Sequence, residues 1–295
     1  MNNPLIKEKP FLCDIINNDY STDAVKIFDG MTPKKTSFRV NTALCDNAEV
    51  KNFLDYNKIK YHNPEFYMDA FILDTPYSIH ETNLFKEGKI YLQNPSSMLP
   101  AIILEPKDNT DIIDMAAAPG GKTLLLSNLA PKSHITACEK DKIRSEKLKY
   151  NLNMQGAKNC FVMNIDSTKI EDYYKFDSVL LDSPCSGVGT IDIENKKSYE
   201  YLSQRLINNL TLLQKKLLDK AITICKKNGT IIYSTCSLLK RENEDIVNHF
   251  IKSGRVKTQK INIFDVPVLS ENNNMITVMP TDEYQGFFIA KLIKL

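Results

Sequence analysis

The chain has 295 residues, of which 42% are hydrophobic and 25% are charged, and its formal net charge is +2. This composition is typical of an ordinary globular protein and excludes a disordered or fibrous chain. Because positive and negative charges almost balance, a nucleic-acid partner would have to be held by a local basic face.

Length and cysteine usage narrow the class of protein further. A chain of this length is expected to form one large domain and a smaller one. Its first residues lack the apolar core of a signal peptide, and it contains no run of about 18 apolar residues. The seven cysteines are scattered without a Cys-x-x-Cys pair, which argues against disulfides and a bound metal. We therefore expect a cytoplasmic monomer that binds neither a membrane nor a metal.

The predicted elements fall into two regions. Residues 1–92 carry short, irregular patterns and are expected to form a small N-terminal α/β domain, with a boundary near Tyr91–Gln93. After it, strand-like and helix-like segments alternate, which predicts βαβ units and a mainly parallel sheet. The predicted strands are Asp111–Met115, His134–Cys138, Cys160–Asn164, Ser178–Asp182, Thr230–Ser234 and Gly286–Ile293. The predicted helices are Lys122–Leu129, Asp141–Met154 and Ser203–Lys227, with another beginning near Arg241.

A glycine-rich turn follows the first predicted strand of the larger region, in the run Met115–Thr123. Small residues at such a turn let the backbone approach a ligand closely at the carboxyl end of a sheet. A P-loop would need a glycine where Ala116 stands, and the dinucleotide pattern G-x-G-x-x-G is absent as well. The turn therefore does not predict a phosphate site.

Two acids stand at the ends of the next two predicted strands. Glu139 lies at roughly the spacing at which an acid binds ribose hydroxyls, and Asp166 is placed to bind an adenine amino group. A ribose-binding acid without a phosphate cradle favours an adenosyl ligand that lacks phosphate, such as S-adenosylmethionine. The alternative is a plain tight turn with two solvated acids, and the residues alone leave both interpretations open.

Two cysteines, Cys185 and Cys236, stand just beyond the fourth and fifth predicted strands, at the edge where a parallel sheet binds ligands. Most lone cysteines are inert core residues. A thiolate is nevertheless the nucleophile that can attack carbon 6 of cytosine and so activate carbon 5 for methylation. Asp182 is placed to hydrogen-bond ring nitrogen 3 of that base. These considerations do not decide which of the two cysteines attacks.

Taken in order, these motifs resemble those of the Sun/Nop-type (RsmB/NOP-like) RNA cytosine-5 methyltransferases. Asp114–Lys122 matches the cofactor signature, Asp182–Gly189 matches D-x-P-C-S-G-x-G, and Ser234–Ser237 matches S-T-C-S. Gln93–Pro100 is similar to the segment that opens the catalytic domain. The resemblance covers roughly residues 36–295, with Gln285 standing where an aspartate is usual.

The resemblance implies a Rossmann-like class I methyltransferase fold with a doubly wound sheet over residues 93–295, and an N-terminal domain of RNA-binding type over residues 1–92. It implies that Cys236 is the nucleophile, that Cys185 assists release, and that Asp182 orients the base. The cofactor implied is S-adenosylmethionine. The residues that the resemblance places around it are Ala116, Ala117, Ala118, Pro119, Gly120, Gly121, Lys122, Glu139, Asp166 and Asp182.

The substrate implied is a cytidine in structured RNA, with ribosomal RNA as the first candidate and transfer RNA as the second. The target base has to be unpaired or flipped out of a helix before it can react. The candidate phosphate contacts are Lys34, Lys35, Arg39 and Arg144. The alternative to RNA binding by the helix that carries Arg144 is that its basic residues simply form a solvated face.

Two other functions are weighed against this one. A DNA cytosine-5 methyltransferase would use the cysteine of the Pro-Cys motif as nucleophile, and it would need a target-recognition segment for which Gly187–Ser203 is too short. A non-catalytic RNA scaffold that binds S-adenosylmethionine only for stability would have no use for Cys185, Cys236 and Asp182.

Overall fold

The computed structural model describes residues 4–263 and 265–295. Three short helices open the chain: α1 (Pro4–Glu8), α2 (Pro10–Tyr20) and α3 (Ala24–Asp29). Their apolar side chains are buried against residues of the larger domain such as Val188, and the Tyr20 hydroxyl donates to the Leu238 carbonyl at 2.6 Å. Residues 4–29 thus pack on the larger domain, and not on the small sheet with which the sequence groups them.

A small antiparallel sheet comes next. Its strands are β1 (Ser37–Val40), β2 (Tyr61–His62), β3 (Ala70–Leu73) and β4 (Ile90–Leu92), in the order β2-β3-β1-β4. Its helices are α4 (Asn47–Tyr56) and α5 (Asn83–Lys86). Phe38 stacks on Phe71 in its core, with ring centroids 5.3 Å apart. The domain boundary near Tyr91–Gln93 stays a prediction.

The larger sheet has nine strands. They are β5 (Asp111–Asp114), β6 (His134–Cys138), β7 (Cys160–Met163), β8 (Phe176–Asp182), β9 (Cys225–Thr235), β10 (Val256–Thr258), β11 (Val268–Asn272), β12 (Met275–Val278) and β13 (Phe287–Lys294). Strands β9-β8-β5-β6-β7 are parallel neighbours. Strand β13 pairs antiparallel with β9, and β12 and β10 pair antiparallel with β13. The predicted parallel sheet is confirmed, with an antiparallel extension at one side.

Helices cover both faces of this sheet. They are α6 (Pro95–Leu104), α7 (Gly121–Leu129), α8 (Lys142–Met154), α9 (Gln204–Ile224) and α10 (Glu244–Lys252). Helices α6, α7 and α8 pack their apolar residues against one face of the sheet, and helices α9 and α10 pack theirs against the other face. The chain winds outward from β5 through β6 and β7, and then returns to form β8 and β9 on the other side of β5. This reversal of strand order opens a crevice at the carboxyl ends of the strands.

The long amphipathic helix is shorter than predicted. Its N-terminus is capped by Ser203, whose hydroxyl accepts from the Leu206 N–H at 3.2 Å, but it ends at Ile224 and not at Lys227. Cys225 already pairs with Phe176 of β8. The first residues of β9 include Lys226, Lys227 and Asn228, which show no pattern of a buried strand, so the sequence did not reveal where the helix stops.

Helix α10 begins with a buried carboxyl group. Glu244 is 6% exposed, and its Oε2 has no hydrogen-bond partner among the described residues. Burial raises the pKa of Glu244 from 4.5 to about 7, because desolvation disfavours the charged form. The folded state therefore binds this proton more tightly than the unfolded state does, and stability falls as pH rises through this interval.

We expect Glu244→Gln to raise the free energy of unfolding by about 3 kcal/mol at pH values above this interval and hardly at all below it. Urea unfolding of both proteins at the two ends of the interval measures the difference. An equal effect at both ends would contradict the titration assigned to Glu244.

No helix in the described parts of the chain is both long and apolar enough to span a bilayer.

Candidate active site

The glycine-rich turn links β5 to α7 at the crevice. Asp114, which ends β5, is buried, and its Oδ2 accepts a hydrogen bond from the Thr123 hydroxyl at 2.7 Å. Burial raises the pKa of Asp114 to about 6. Gly120 has a φ of +113°, which a side chain would strain. A Cβ at Gly121 would lie 2.9 Å from the Tyr91 ring, so the turn is packed directly against β4.

A cavity of about 220 Å³, the central cavity, lies over the carboxyl ends of the five parallel strands β5 to β9. Acidic groups from three strand ends line it, and an apolar wall faces them. The acids are Glu139, Asp166 and Asp182, and the apolar residues are Met115, Ile165, Leu213 and Leu217. The lining also includes Ala116 and Ala118 of the glycine-rich turn and the two cysteines, Cys185 and Cys236. The structure therefore brings the predicted acids, both cysteines and the turn together.

Glu139 is held rigidly at the end of β6. It is 4% exposed, and its Oε1 accepts the Asp141 backbone N–H at 2.9 Å. The Arg144 guanidinium lies 3.4 Å from the other carboxylate oxygen and donates to the Ala118 carbonyl at 2.9 Å. Arg144 thus ties the acid to the turn and lines the central cavity. These partners differ from the phosphate contact predicted for it.

Asp166 follows β7 at the far end of the cavity. Its Oδ1 accepts both the backbone N–H of Thr168, at 3.0 Å, and the Thr168 hydroxyl, at 2.8 Å. Burial opposes ionisation, but these hydrogen bonds outweigh it and hold the pKa of Asp166 below its ordinary value. The carboxylate is therefore charged and fixed where it faces the cavity.

The two cysteines meet at the opposite end. Cys185 follows β8 and Cys236 follows β9, and their Sγ atoms are 3.2 Å apart. The register of the two parallel strands, in which Asp182 is opposite Ser234, causes this meeting. The hydrogen bond to Cys236, together with burial, raises the pKa of Cys185 well above its ordinary value. The surroundings of Cys185 therefore favour its protonated form.

Asp182 stands between the cysteines and the turn. It accepts a hydrogen bond from the Ser234 hydroxyl at 2.9 Å and forms an ion pair with Lys122, with a nitrogen–oxygen distance of 2.7 Å. Burial alone would lower the pKa of Lys122, but the Asp182 carboxylate outweighs burial and raises it. The ammonium group also donates to the Ser97 hydroxyl at 2.7 Å.

Lys122 lies in a second cavity, of about 240 Å³, on the other side of the turn. Ala117, Pro119 and Gly121 line this cavity, and Ala116, Ala118 and Asp182 line both. Gln285, at the unusual position noted in the sequence, also lines it, and its backbone N–H donates to the Asn94 side chain at 3.2 Å. All the predicted cofactor residues thus lie at or beside the two cavities.

Arg39 is not at the surface. Its side chain is fully buried, and its guanidinium donates to the Gln93 side chain and to the Gly121 carbonyl, both at 2.9 Å. It also lies 5.3 Å from the centre of the Tyr91 ring. The prediction that Arg39 contacts an RNA phosphate was wrong, because the side chain instead links β1 to the glycine turn.

The two neighbouring lysines are also engaged within the protein. Lys34 donates to the backbone carbonyls of Gly30, at 2.7 Å, and Thr32, at 2.9 Å, and burial lowers its pKa to about 8. Lys35 lies 2.7 Å from Glu283 and 3.4 Å from Asp74. Carbonyls and carboxylates of the protein thus occupy both ammonium groups, and a contact of either lysine with an RNA phosphate stays a prediction.

One buried acid escaped the sequence interpretation. Glu242, in the run Arg241–Glu244, is fully buried and hydrogen-bonds to both cysteine loops. An acid within such a charged run is interpreted from sequence as solvated surface, and no signal in this sequence marks Glu242 as buried.

Comparison with known proteins gives consistent matches. A family model described as 16S rRNA methyltransferase RsmB/F matches residues 101–293. A tRNA (cytosine(72)-C(5))-methyltransferase of Pyrococcus horikoshii is 36% identical over 220 residues, which are 74% of this chain and 55% of the relative. Ribosomal RNA small subunit methyltransferase B of Proteus mirabilis is 32% identical over 246 residues, which are 81% of this chain and 57% of the relative. The chain therefore spans little more than half the length of these curated relatives.

A solved structure extends the likeness to three dimensions. The structure of a methyltransferase homologue from Pyrococcus horikoshii superimposes with a TM-score of 0.87 at 31% identity. The match covers 99% of this chain and 97% of that one. The two proteins therefore share one fold over almost their whole lengths.

Proposed function

Because this chain belongs to the 16S rRNA methyltransferase RsmB/F family, we propose that it transfers a methyl group from S-adenosylmethionine to carbon 5 of a cytidine in RNA. The family expected from the motifs, and its Rossmann-like class I fold, are confirmed. The names of the relatives give the substrate classes: small-subunit ribosomal RNA is the first candidate, and transfer RNA is the second.

The observation that carries the proposal is the meeting of two sulfurs with an acid-lined cavity. The Sγ atoms of Cys185 and Cys236, 3.2 Å apart, line the same cavity as Asp182 and Glu139. A cofactor site alone would explain the acids and the turn but not a pair of adjacent thiols. Chemistry in which one thiol attacks and another assists explains both.

The residues of the central cavity fit an adenosyl cofactor. Glu139 presents a fixed carboxylate for ribose hydroxyls, and Asp166 presents one for the adenine amino group. The apolar wall that includes Ile165 and Leu213 suits the flat faces of a purine. When bound, S-adenosylmethionine supplies an electrophilic methyl group on a sulfonium.

Cys236 is the proposed nucleophile. Its thiolate attacks carbon 6 of the cytosine, which breaks the aromaticity of the ring and makes carbon 5 electron-rich enough to accept a methyl group. Cys185 assists removal of the proton from carbon 5, and the electron pair of that C–H bond restores the ring while the Cys236 thiolate leaves. Cys185 also assists this release of Cys236, and Asp182 orients the cytosine.

Glu139→Gln is expected to weaken cofactor binding by about 10- to 100-fold, because hydrogen bonds to a charged carboxylate contribute about 1.5–3 kcal/mol. Titration calorimetry with S-adenosylhomocysteine measures the change. Glu146→Gln is the matched control, since this exposed glutamate of α8 pairs only with Lys149 among the described residues. Equal affinities of the Glu139 variant and the wild type would remove Glu139 from the cofactor site.

Methyl transfer itself tests the function. The chain is incubated with methyl-labelled S-adenosylmethionine and total RNA from cells lacking the gene, and the labelled nucleoside is identified by mass spectrometry. We expect 5-methylcytidine in RNA, and no label in DNA of matched cytosine content. Label on an exocyclic nitrogen or in DNA would overturn the proposal. A chain that neither methylates nor forms an adduct with 5-azacytidine RNA would be a binding scaffold.

A further inference from the structure

The mechanism above makes no use of one buried carboxylate, that of Glu242. Its side chain is fully buried and accepts four hydrogen bonds. Oε1 accepts the Ser186 backbone N–H at 2.9 Å and the Gln214 amide at 3.0 Å. Oε2 accepts the hydroxyls of Ser186, at 2.5 Å, and Ser237, at 2.6 Å. No cation pairs with it among the described residues, so these donors alone compensate its desolvation.

The donors belong to the residues that follow the two cysteines. Ser186 comes directly after Cys185, and Ser237 comes directly after Cys236. One carboxylate therefore holds both cysteine loops through the residues adjacent to the reactive ones. The loops also touch each other directly: the Ser186 and Ser237 hydroxyls are 3.2 Å apart, and the Gly189 N–H donates to the Cys236 carbonyl at 2.9 Å.

The backbone of Glu242 is itself anchored to β9. The Tyr233 hydroxyl donates to the Glu242 carbonyl at 2.6 Å. Asn243 accepts from the Thr235 hydroxyl at 2.6 Å and donates to the Ser237 carbonyl at 2.9 Å. These bonds fix the backbone that carries the carboxylate, and the four hydrogen bonds to the carboxylate fix its side chain, so it serves as a fixed point for both loops.

We propose that Glu242 is a positioning residue that fixes the two cysteine loops against each other and directs the Cys185 thiol toward Cys236. Its negative charge adds to the hydrogen bond and burial that raise the pKa of Cys185. Geometry and charge therefore act together on Cys185 and favour its protonated form. The catalytic consequence rests on the proposed function, but the effect on the thiols does not.

Two variants separate geometry from charge. In Glu242→Gln, the amide oxygen still accepts the two N–H donors, while the amide NH₂ can donate to serine hydroxyls that reverse their roles. In Glu242→Ala, all four donors lose their partner. Glu244→Gln is the matched control, because this neighbouring buried carboxyl makes no hydrogen bond to either cysteine loop in the described structure.

The first readout is the pH profile of alkylation by iodoacetamide, resolved for Cys185 and Cys236 by mass spectrometry. In Glu242→Gln we expect the Cys185 profile to move to lower pH, because the neighbouring negative charge is gone, and in Glu244→Gln we expect no movement. An unmoved Cys185 profile in Glu242→Gln would overturn the electrostatic half of the proposal.

The second readout is methyl transfer. We expect kcat to fall by about tenfold or less in Glu242→Gln and by about 100-fold or more in Glu242→Ala, with unchanged KM for S-adenosylmethionine. Wild-type kcat in a folded Glu242→Ala protein would overturn the positioning role. If Glu242→Ala does not fold, the pH profile of Cys185 alkylation in Glu242→Gln tests the proposal instead. A wild-type chain that methylates nothing, but whose Gln variant shows the shifted profile, would refute the proposed function and leave the positioning of the thiols intact.

Discussion

Replacement of Cys236 by alanine is expected to abolish both methyl transfer and the covalent adduct with RNA that contains 5-azacytidine. We expect kcat to fall by more than about 10⁴-fold, because carbon 5 accepts a methyl group only after a nucleophile has bonded to carbon 6. The Cys185 sulfur is 3.2 Å away, but its proposed role is in release and not in attack on carbon 6, so we expect that it does not substitute. Transfer of labelled methyl groups and a denaturing gel of the adduct measure the two losses.

A matched control is available for the Cys236 variant. Cys160 is another half-buried free thiol, placed on the edge strand β7 outside the central cavity. Cys160→Ser should retain both the adduct and methylation, which shows that loss of a thiol is not in itself inactivating. An adduct that persists in Cys236→Ala would identify Cys185 as the nucleophile and reverse the two roles.

Cys185→Ala is expected to give the opposite phenotype. Attack and methyl transfer remain possible, but release of the enzyme is impaired, so a covalent protein–RNA species should accumulate with unmodified RNA. Turnover should fall by about 100-fold or more, while the trapped fraction approaches one RNA per protein. The species is seen on a denaturing gel after incubation with S-adenosylmethionine and substrate RNA.

The cofactor provides the internal control for this trapping. The stable protein–RNA adduct should form only when S-adenosylmethionine is present, because the impaired step is the release of Cys236 from the methylated cytosine. A Cys185→Ala protein that forms no adduct, but loses methylation entirely, would assign the attack on carbon 6 to Cys185.

The fold of the larger domain followed closely from local patterns. The predicted strands ending at Cys138 and Asp182 end at those residues in the structure. Buried parallel strands read as short apolar runs, and their ends are marked by the change to glycine, serine and acidic residues. The start of β9 was missed because Lys226, Lys227 and Asn228 do not show the apolar pattern of a buried strand.

The roles expected of basic residues were predicted less well. A lysine or arginine is read from sequence as a surface charge, yet Arg39 is fully buried against Gly121, and Lys35 is surrounded by acids. Those partners lie 82 and 248 positions away along the chain. No pattern of local spacing encodes contacts of that range.

The order of motifs along the chain is enough to predict which chemical groups stand at the active edge. Motifs that follow β5, β8 and β9 must converge there, because the carboxyl ends of parallel strands share one side of a sheet. The pairing of those groups is visible only once the chain is folded: Lys122 with Asp182, Cys185 with Cys236, and Glu242 with both cysteine loops. The physical reason is that a buried polar group takes its partner from whichever segments pack around it, and that packing is a property of the whole fold.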